Sequence, residues 1–163
     1  MTRSNLLLGV IVLWLSATAQ ASEDTLGPRH FGKVKFGERL ETVERLLGQK
    51  AAPSHRASEC DFVTFRRFPS ARFMVENGII TRADSKGPVS TDTKVKLGMT
   101  LRHAIKVEPA LEVSPHHYAD DGHYLALYTS DKKYAILFEE FDGRVQEVRA
   151  GQASSVAYVE GCL

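Results

Sequence analysis

A surplus of charge of either sign is missing from this sequence. Its 163 residues include 21 Lys+Arg and 20 Asp+Glu, so the formal net charge is only +1. Nucleic-acid-binding domains carry a marked basic surplus, and helices that bind anionic membranes need a basic amphipathic segment. The sequence therefore predicts neither a nucleic-acid partner nor an anionic membrane surface as a partner.

The motifs of common enzyme classes are missing as well. The chain has no GxSxG, HExxH, P-loop or GxGxxG pattern. One S-x-x-K match begins at Ser130, but the motifs that accompany it in the corresponding enzymes are absent. We therefore predict a protein without catalytic residues, without a cofactor and without enzyme activity.

Long hydrophobic runs are confined to the N-terminus. The apolar run from Leu6 to Leu15 is too short for a ~30 Å bilayer core, follows the basic Arg3, and precedes Ala19-Gln20-Ala21. This pattern is typical of a secretory signal peptide over residues 1–21. An uncleaved N-terminal anchor is the alternative. We expect a mature chain that starts at Ser22, does not insert into a membrane, and resides in the periplasm or outside the cell.

Cysteine is scarce, with only Cys60 and Cys162 present. Their separation excludes a CxxC redox motif, and exported proteins with an even number of cysteines usually pair them. The sequence therefore predicts a Cys60–Cys162 disulfide.

What the sequence does contain is an internal duplication. The segment Lys33–Gly37 (KVKFG) returns as Lys94–Gly98 (KVKLG), and each copy precedes a stretch with helical spacing of apolar residues. The predicted helices are Glu38–Leu47, ended by Gly48, and Thr100–Val107, with Thr100 as the N-cap.

Antiparallel strands are predicted after each helix. Asn77-Gly78 and Asp142-Gly143 mark tight hairpins because both dipeptides tolerate positive φ angles. The predicted strands are Cys60–Phe65, Phe73–Val75, Ile79–Ala83, His123–Tyr128, Ile136–Phe138, Val145–Ala150 and a last strand Val156–Glu160.

These elements predict an α+β fold of two tandem repeats, each a short helical segment packed on an antiparallel β-meander. The repeats span about 32–84 and 93–163, and together form a single domain over 22–163 with one sheet face covered by helices. Residues 22 to 30 are expected to be a loose start.

The repeated pattern resembles a known group of proteins. Leu97-Gly98-Met99-Thr100 and Asp142-Gly143-Arg144-Val145 are similar to the tandem α+β repeats of the β-lactamase inhibitor proteins and to the BamE/SmpA-like outer-membrane assembly module. The resemblance covers residues 32–162. It implies a non-enzymatic, extracytoplasmic module that binds or inhibits another periplasmic or extracellular protein through its sheet. An envelope-assembly accessory role is an alternative.

The richest polar cluster runs from His116 to His123 (HHYADDGH). Imidazoles and carboxylates can bind Zn²⁺ or Cu²⁺, so a small metal-dependent enzyme is a second alternative function. Because Asp121-Gly122 indicates a turn, we interpret the cluster as an exposed loop and predict no metal site.

The predicted binding residues are Asp61, Phe65, Tyr124 and Tyr128. Alternation in the strand His123–Tyr128 separates Leu125 and Leu127 from Tyr124 and Tyr128, and the leucine face is expected to meet the helices. The tyrosines would then lie on an open sheet face, where the alignment of the repeats also places Asp61 and Phe65. Ordinary packing of the rings within the sheet is the alternative.

Overall fold

The fold is described by a computed structural model that covers residues 24–53 and 59–162. Of these residues, 42% lie in strands and 15% in helices. The predicted signal peptide and its cleavage site fall outside the described residues. No helix in the described ranges is both long enough and apolar enough to cross a membrane.

The elements follow one another as eleven strands and three helices in the described part of the chain. The strands are β1 (Thr25–Gly27), β2 (His30–Phe31), β3 (Val34–Lys35), β4 (Cys60–Val63), β5 (Ala71–Glu76), β6 (Ile79–Ser85), β7 (Ser90–Thr91), β8 (Glu112–Pro115), β9 (His123–Tyr128), β10 (Tyr134–Phe141) and β11 (Arg144–Gln152). The helices are α1 (Leu40–Leu47), α2 (Leu101–Val107) and α3 (Ala153–Ala157).

The larger sheet has seven antiparallel strands in the order β4-β5-β6-β11-β10-β9-β8. Two of its hairpins turn at the predicted dipeptides: φ is positive at Asn77 and Gly78 (49° and 79°), and at Asp142 and Gly143 (52° and 73°). Positive φ at both central residues is the type I′ arrangement, which matches the twist of the flanking strands. Both hairpin predictions are confirmed.

The two predicted helices are present and end as their sequences indicate. Gly48 follows α1 in the left-handed conformation, with φ of 62°. At α2, the Thr100 side chain accepts a hydrogen bond from the backbone N–H of His103, which is the expected N-cap. Local chemistry therefore sets the boundaries of both elements.

A second, four-stranded sheet packs over one face of the larger sheet together with α1 and α2. Its strand order is β3-β2-β1-β7, with β7 parallel to β1. The main core lies between these layers and contains Leu26, Phe31, Leu40, Phe73 and Phe138 among its buried side chains. Within residues 22 to 30, expected to be a loose start, Thr25–Gly27 and His30 thus lie in strands.

The predicted fold class is wrong. The structure is mostly β, with two sheets and short helices, and does not form two repeats of a helix on a meander. The covering layer over the main core is largely a sheet because β1, β2, β3 and β7 fold there. Strands of two or three residues carry too little periodicity to be recognised in a sequence.

The other face of the seven-stranded sheet is covered by the C-terminal strap, which we define as residues 153–162. The predicted last strand, Val156–Glu160, is not formed; the strap instead begins with α3 and runs to the disulfide. Cys60 and Cys162 are bonded, with an S–S distance of 2.02 Å. The predicted disulfide is therefore present, and it attaches the end of the strap to β4.

Candidate functional site

The strap side of the seven-stranded sheet, which we call the polar face, carries two buried arginines. Arg82 and Arg149 are 2% and 5% exposed. Register brings them together, since Arg149 pairs with Asp84 and Gly151 with Arg82 across β11 and β6. Charged groups are rarely buried to this extent without partners, so their contacts define the site.

Arg82 is held by four hydrogen bonds. Its Nε and Nη2 donate to the two carboxylate oxygens of Asp84 at 2.6 and 2.9 Å. Its Nη1 donates to the backbone carbonyls of Ser155 at 2.8 Å and Tyr158 at 2.7 Å. The guanidinium therefore joins β6 to the strap at the end of α3, where the Ser155 carbonyl also accepts the Tyr158 N–H.

Arg149 repeats this arrangement one strand away. Its Nε donates to the carbonyl of Val156 at 2.8 Å, and its Nη1 contacts the Glu139 carboxylate. Burial lowers the pKa of the Arg149 guanidinium, and the nearby Glu139 carboxylate opposes that shift. Two buried arginines thus hold the same segment of backbone.

A third contact comes from Glu76 on β5. Its carboxylate accepts hydrogen bonds from the hydroxyls of Thr81 and Ser155. Thr81 is the extra residue of a bulge in β6, where the register with β5 shifts between Met74 and Val75. The bulge turns Thr81 to the same side as Arg82, which explains how adjacent residues serve one face.

His116 extends the network towards β10. Its Nε2 lies 3.1 Å from Glu139 Oε2, and its Nδ1 accepts the backbone N–H groups of Tyr118 and Ala119, each at 3.1 Å. Since Nδ1 is an acceptor, the proton resides on Nε2 and is donated to Glu139. The imidazole also stacks on the Tyr124 ring, with 4.5 Å between centroids.

The predicted histidine cluster is divided between two sites. His116 bonds Glu139 on the polar face, whereas His123 bonds Glu140 at 2.9 Å on the main-core side. The expectation of an exposed loop is wrong for His116, whose side chain is 9% exposed. Among the residues that the structure describes, no group of three or more His, Cys, Asp or Glu is arranged to hold a metal ion.

The four predicted binding residues do not lie together. Tyr124 and Tyr128 are on the polar face, where they pack with Ala126, Leu137 and Val156. Phe65 is buried in the main core. Asp61 pairs with Val75, a main-core residue, so it lies on that side of the sheet too.

The prediction of an open tyrosine face is wrong for Tyr124, which is 6% exposed. The separation of Leu125 from Tyr124 onto two faces is confirmed, because Leu125 is buried in the main core. The strap, in which the sequence predicts a strand over Val156–Glu160, packs Val156 and Val159 against the same cluster as Tyr124. Tyr128 is half-buried and has the Lys132 Nζ 4.6 Å from its ring centroid.

Beside the strap, the polar face opens into a cavity of about 200 Å³. Its walls include the paired side chains of Arg82, Arg149 and Glu139, while Tyr118 and Val159 stand at its border. Tyr118 is 69% exposed and Tyr158, on the strap, is 54% exposed. Sequence reasoning missed Tyr118 as a site residue, although its neighbour His116 was singled out.

Comparison with known proteins adds no family to this geometry. No family model, curated protein or solved structure matches the chain. The resemblance to the β-lactamase inhibitor proteins and to the BamE/SmpA-like module therefore stays a prediction.

Proposed function

We propose that this protein is an exported module that binds or inhibits a protein partner, without catalysis, through the polar face. The observation that carries the proposal is that exposed Tyr118 lines the arginine-lined cavity, while exposed Tyr158 lies on the strap, where its carbonyl accepts a hydrogen bond from Arg82. Tyrosine and arginine dominate binding energy at protein interfaces. The disulfide supports a location in the periplasm or outside the cell.

The buried network supports this role because it fixes the surface before binding. The strap that carries Tyr158 is held by Arg82, Arg149 and the disulfide. The loop that carries Tyr118 is held by His116, whose Nδ1 accepts the Tyr118 N–H. A surface that is ordered in the free protein loses less conformational entropy when it binds.

The alternative of a metal-dependent enzyme gains no support from the histidines. His116 with Glu139 and His123 with Glu140 face opposite sides of the sheet, so one ion cannot reach both pairs. The envelope-assembly role is one case of the proposed protein binding.

The proposal is tested by site-specific photocrosslinking in the exporting cell. A photoreactive phenylalanine analogue at Tyr118 should capture one partner, identified by mass spectrometry. The same analogue at Ile105, which is exposed on α2 at the main-core side, is the matched control. The Tyr118→Ala, Tyr158→Ala variant should then bind that purified partner at least ~10-fold more weakly while melting at the parent temperature. Equal capture from both positions would refute the polar face as the interface.

A further inference from the structure

A cleft on the main-core side of the seven-stranded sheet shares Lys86 with the polar-face cavity. It has a volume of about 1100 Å³ and opens between the small sheet and the starts of β5 and β11. We call it the basic cleft, from the four cations that line it: Arg67, Lys86, Lys96 and Arg144. Among the described residues that line it, Asp24 is the only acidic one.

The floor of the basic cleft is apolar and continuous with the main core. Phe31 and Phe68 lie in contact there, with ring centroids 4.5 Å apart. Val89, Leu97 and Val145 add aliphatic surface to the lining. A ligand in this cleft therefore needs apolar groups that reach the floor.

The cations differ in how far they are already neutralised. Arg67 pairs with Asp24 at 2.9 Å, and Lys86 pairs with Glu147 at 2.9 Å. Arg144 contacts only the carbonyl of Gly98, at 3.1 Å, and within residues 24–53 and 59–162 neither it nor Lys96 has a carboxylate partner. Two positive charges without a carboxylate partner among the described residues thus line the cleft together with Leu97.

We propose that the basic cleft binds an extended segment of a protein partner in which acidic and apolar side chains alternate. Alternate side chains of an extended chain point in opposite directions, so one set can meet the floor while the other reaches the cationic rim. The four cations come from four separate segments of the chain, which suits charges spread along a peptide. An anionic lipid concentrates its charge in one headgroup, so it fits this rim less well.

The test uses a fluorescent peptide that alternates Glu and Leu, titrated with the full mature protein and followed by polarisation. A peptide that alternates Lys and Leu tests the need for acidic groups, and one that alternates Glu and Ser tests the need for apolar groups. The Glu-Leu peptide should bind at least ~10-fold more tightly than either control, and its affinity should fall as salt rises.

Charge reversal locates the site. Lys96→Glu, Arg144→Glu should weaken binding of the Glu-Leu peptide at least ~10-fold, because both cations become anions. Arg102→Glu, Lys106→Glu makes the same charge change on exposed positions of α2 outside the cleft, and should leave affinity within about twofold. Arg144 bonds the Gly98 carbonyl, so its replacement also removes a structural contact. If the double variant unfolds, the single variant Lys96→Glu is used to test binding.

Tyr118→Ala should leave peptide affinity unchanged, so this proposal stands or falls separately from that for the polar face. It is overturned if the Lys-Leu peptide binds as well as the Glu-Leu peptide, or if a folded Lys96→Glu variant binds like the parent. Binding to phosphatidylglycerol vesicles with no binding of the Glu-Leu peptide would also overturn it.

Discussion

Arg82 is the least exposed charged side chain in the described ranges. Its guanidinium donates hydrogen bonds to Asp84 on β6 and to the carbonyls of Ser155 and Tyr158 on the strap. Its removal leaves Asp84 with only the half-exposed Arg72 as a cation, and leaves the carbonyls of Ser155 and Tyr158 without this buried donor. Arg82→Ala should therefore lower the free energy of unfolding by roughly 3–5 kcal/mol, measured by urea denaturation.

Arg72→Ala is the matched control for that measurement. Arg72 contacts the same carboxylate, at 3.2 Å, but its side chain is 49% exposed. Its loss should cost less than about 1 kcal/mol, since water replaces an exposed partner at little expense. Equal costs for the two variants would contradict the importance we assign to burial.

Tyr124 and Tyr128 should respond differently to truncation. Tyr124 is enclosed by His116, His117 and Arg149, whereas Tyr128 is half-buried. Tyr124→Ala should cost roughly 3–5 kcal/mol, as for other buried rings, and Tyr128→Ala clearly less. Thermal denaturation of the two single variants checks this ranking, and a Tyr124→Ala variant that melts like the parent would refute it.

Asp131 should remain ionised well into the acid range. Its pKa is lowered from the ordinary value of 3.8, first by the Thr129 hydroxyl, then by Arg29 and by the Lys133 N–H. A carboxyl with a lowered folded-state pKa stabilises the fold above its unfolded pKa, and this contribution is lost as pH falls through the folded value.

The turn between β9 and β10 should therefore keep its neutral-pH structure at pH values near ~4 and lose it only in stronger acid. Titration of the Asp131 carboxyl carbon by NMR checks this. A midpoint at 3.8 or above would contradict it. Asp131→Asn provides the control, since the turn signals should then no longer follow this titration.

At the scale of elements, the sequence predicted what local chemistry determines. Asn77-Gly78 and Asp142-Gly143 specify hairpins through backbone conformations that few other dipeptides allow. Gly48 and Thr100 mark helix ends for similarly local reasons. In each case the residues that decide the structure are neighbours in the chain.

The strap could not be predicted, because distant residues decide it. Val156 and Tyr158 alternate with smaller or exposed residues, a spacing that suits a strand. The Val156 carbonyl is instead fixed by Arg149, 7 positions earlier, and those of Ser155 and Tyr158 by Arg82, 73 and 76 positions earlier. Tertiary contacts of this kind override local preference.

The predicted binding set failed through register. The alignment of the duplicated segments matched Asp61 with Tyr124, but the structure puts Phe62, not Asp61, on the polar face with Arg72 and Arg82. A shift of one residue moves every side chain of a strand to the opposite face. An alignment based on weak similarity does not resolve one residue.

The disulfide should act mainly on the strap. In the chain-entropy model, closing a loop of about 100 residues stabilises a fold by up to ~4.7 kcal/mol, and measured gains are usually smaller. In a Cys60→Ala, Cys162→Ala variant we expect faster hydrogen exchange at Tyr158 and its neighbours, while central β10 amides stay protected. If hydrogen exchange became faster to the same extent in the strap and in β10, the bond would instead stabilise the whole fold.

At the scale of the whole molecule, near-neutral charge conceals local asymmetry. The four cations of the basic cleft lie in four different segments, so no run in the sequence reveals them. Folding brings them to one rim, whereas the arginines of the polar face are neutralised by Asp84 and Glu139. Net charge therefore indicates which partner classes the chain as a whole disfavours, and says nothing about where charge accumulates.

The export prediction concerns the whole chain as well. We expect protein recovered from the cell envelope to begin at Ser22, because Ala19-Gln20-Ala21 follows a short apolar run. N-terminal sequencing together with an unreduced intact mass checks this, and the mass should be two hydrogens below that of the dithiol. A chain that still begins at Met1, or that carries two titratable thiols, would contradict export with oxidation.

The bond between Cys60 and Cys162 closes residues 60–162 into a covalent ring. The residues before Cys60 form a segment outside this ring, which we call the pendant. The ring contains β4 to β11, α2 and α3, while the pendant carries β1, β2, β3 and α1. Asp24 and Phe31 line the basic cleft from the pendant; the other lining residues belong to the ring. Any change that loosens β1 and β2 would therefore move Asp24 and Phe31 away from the other residues that line the basic cleft. The ring would keep those other residues and the polar face in place.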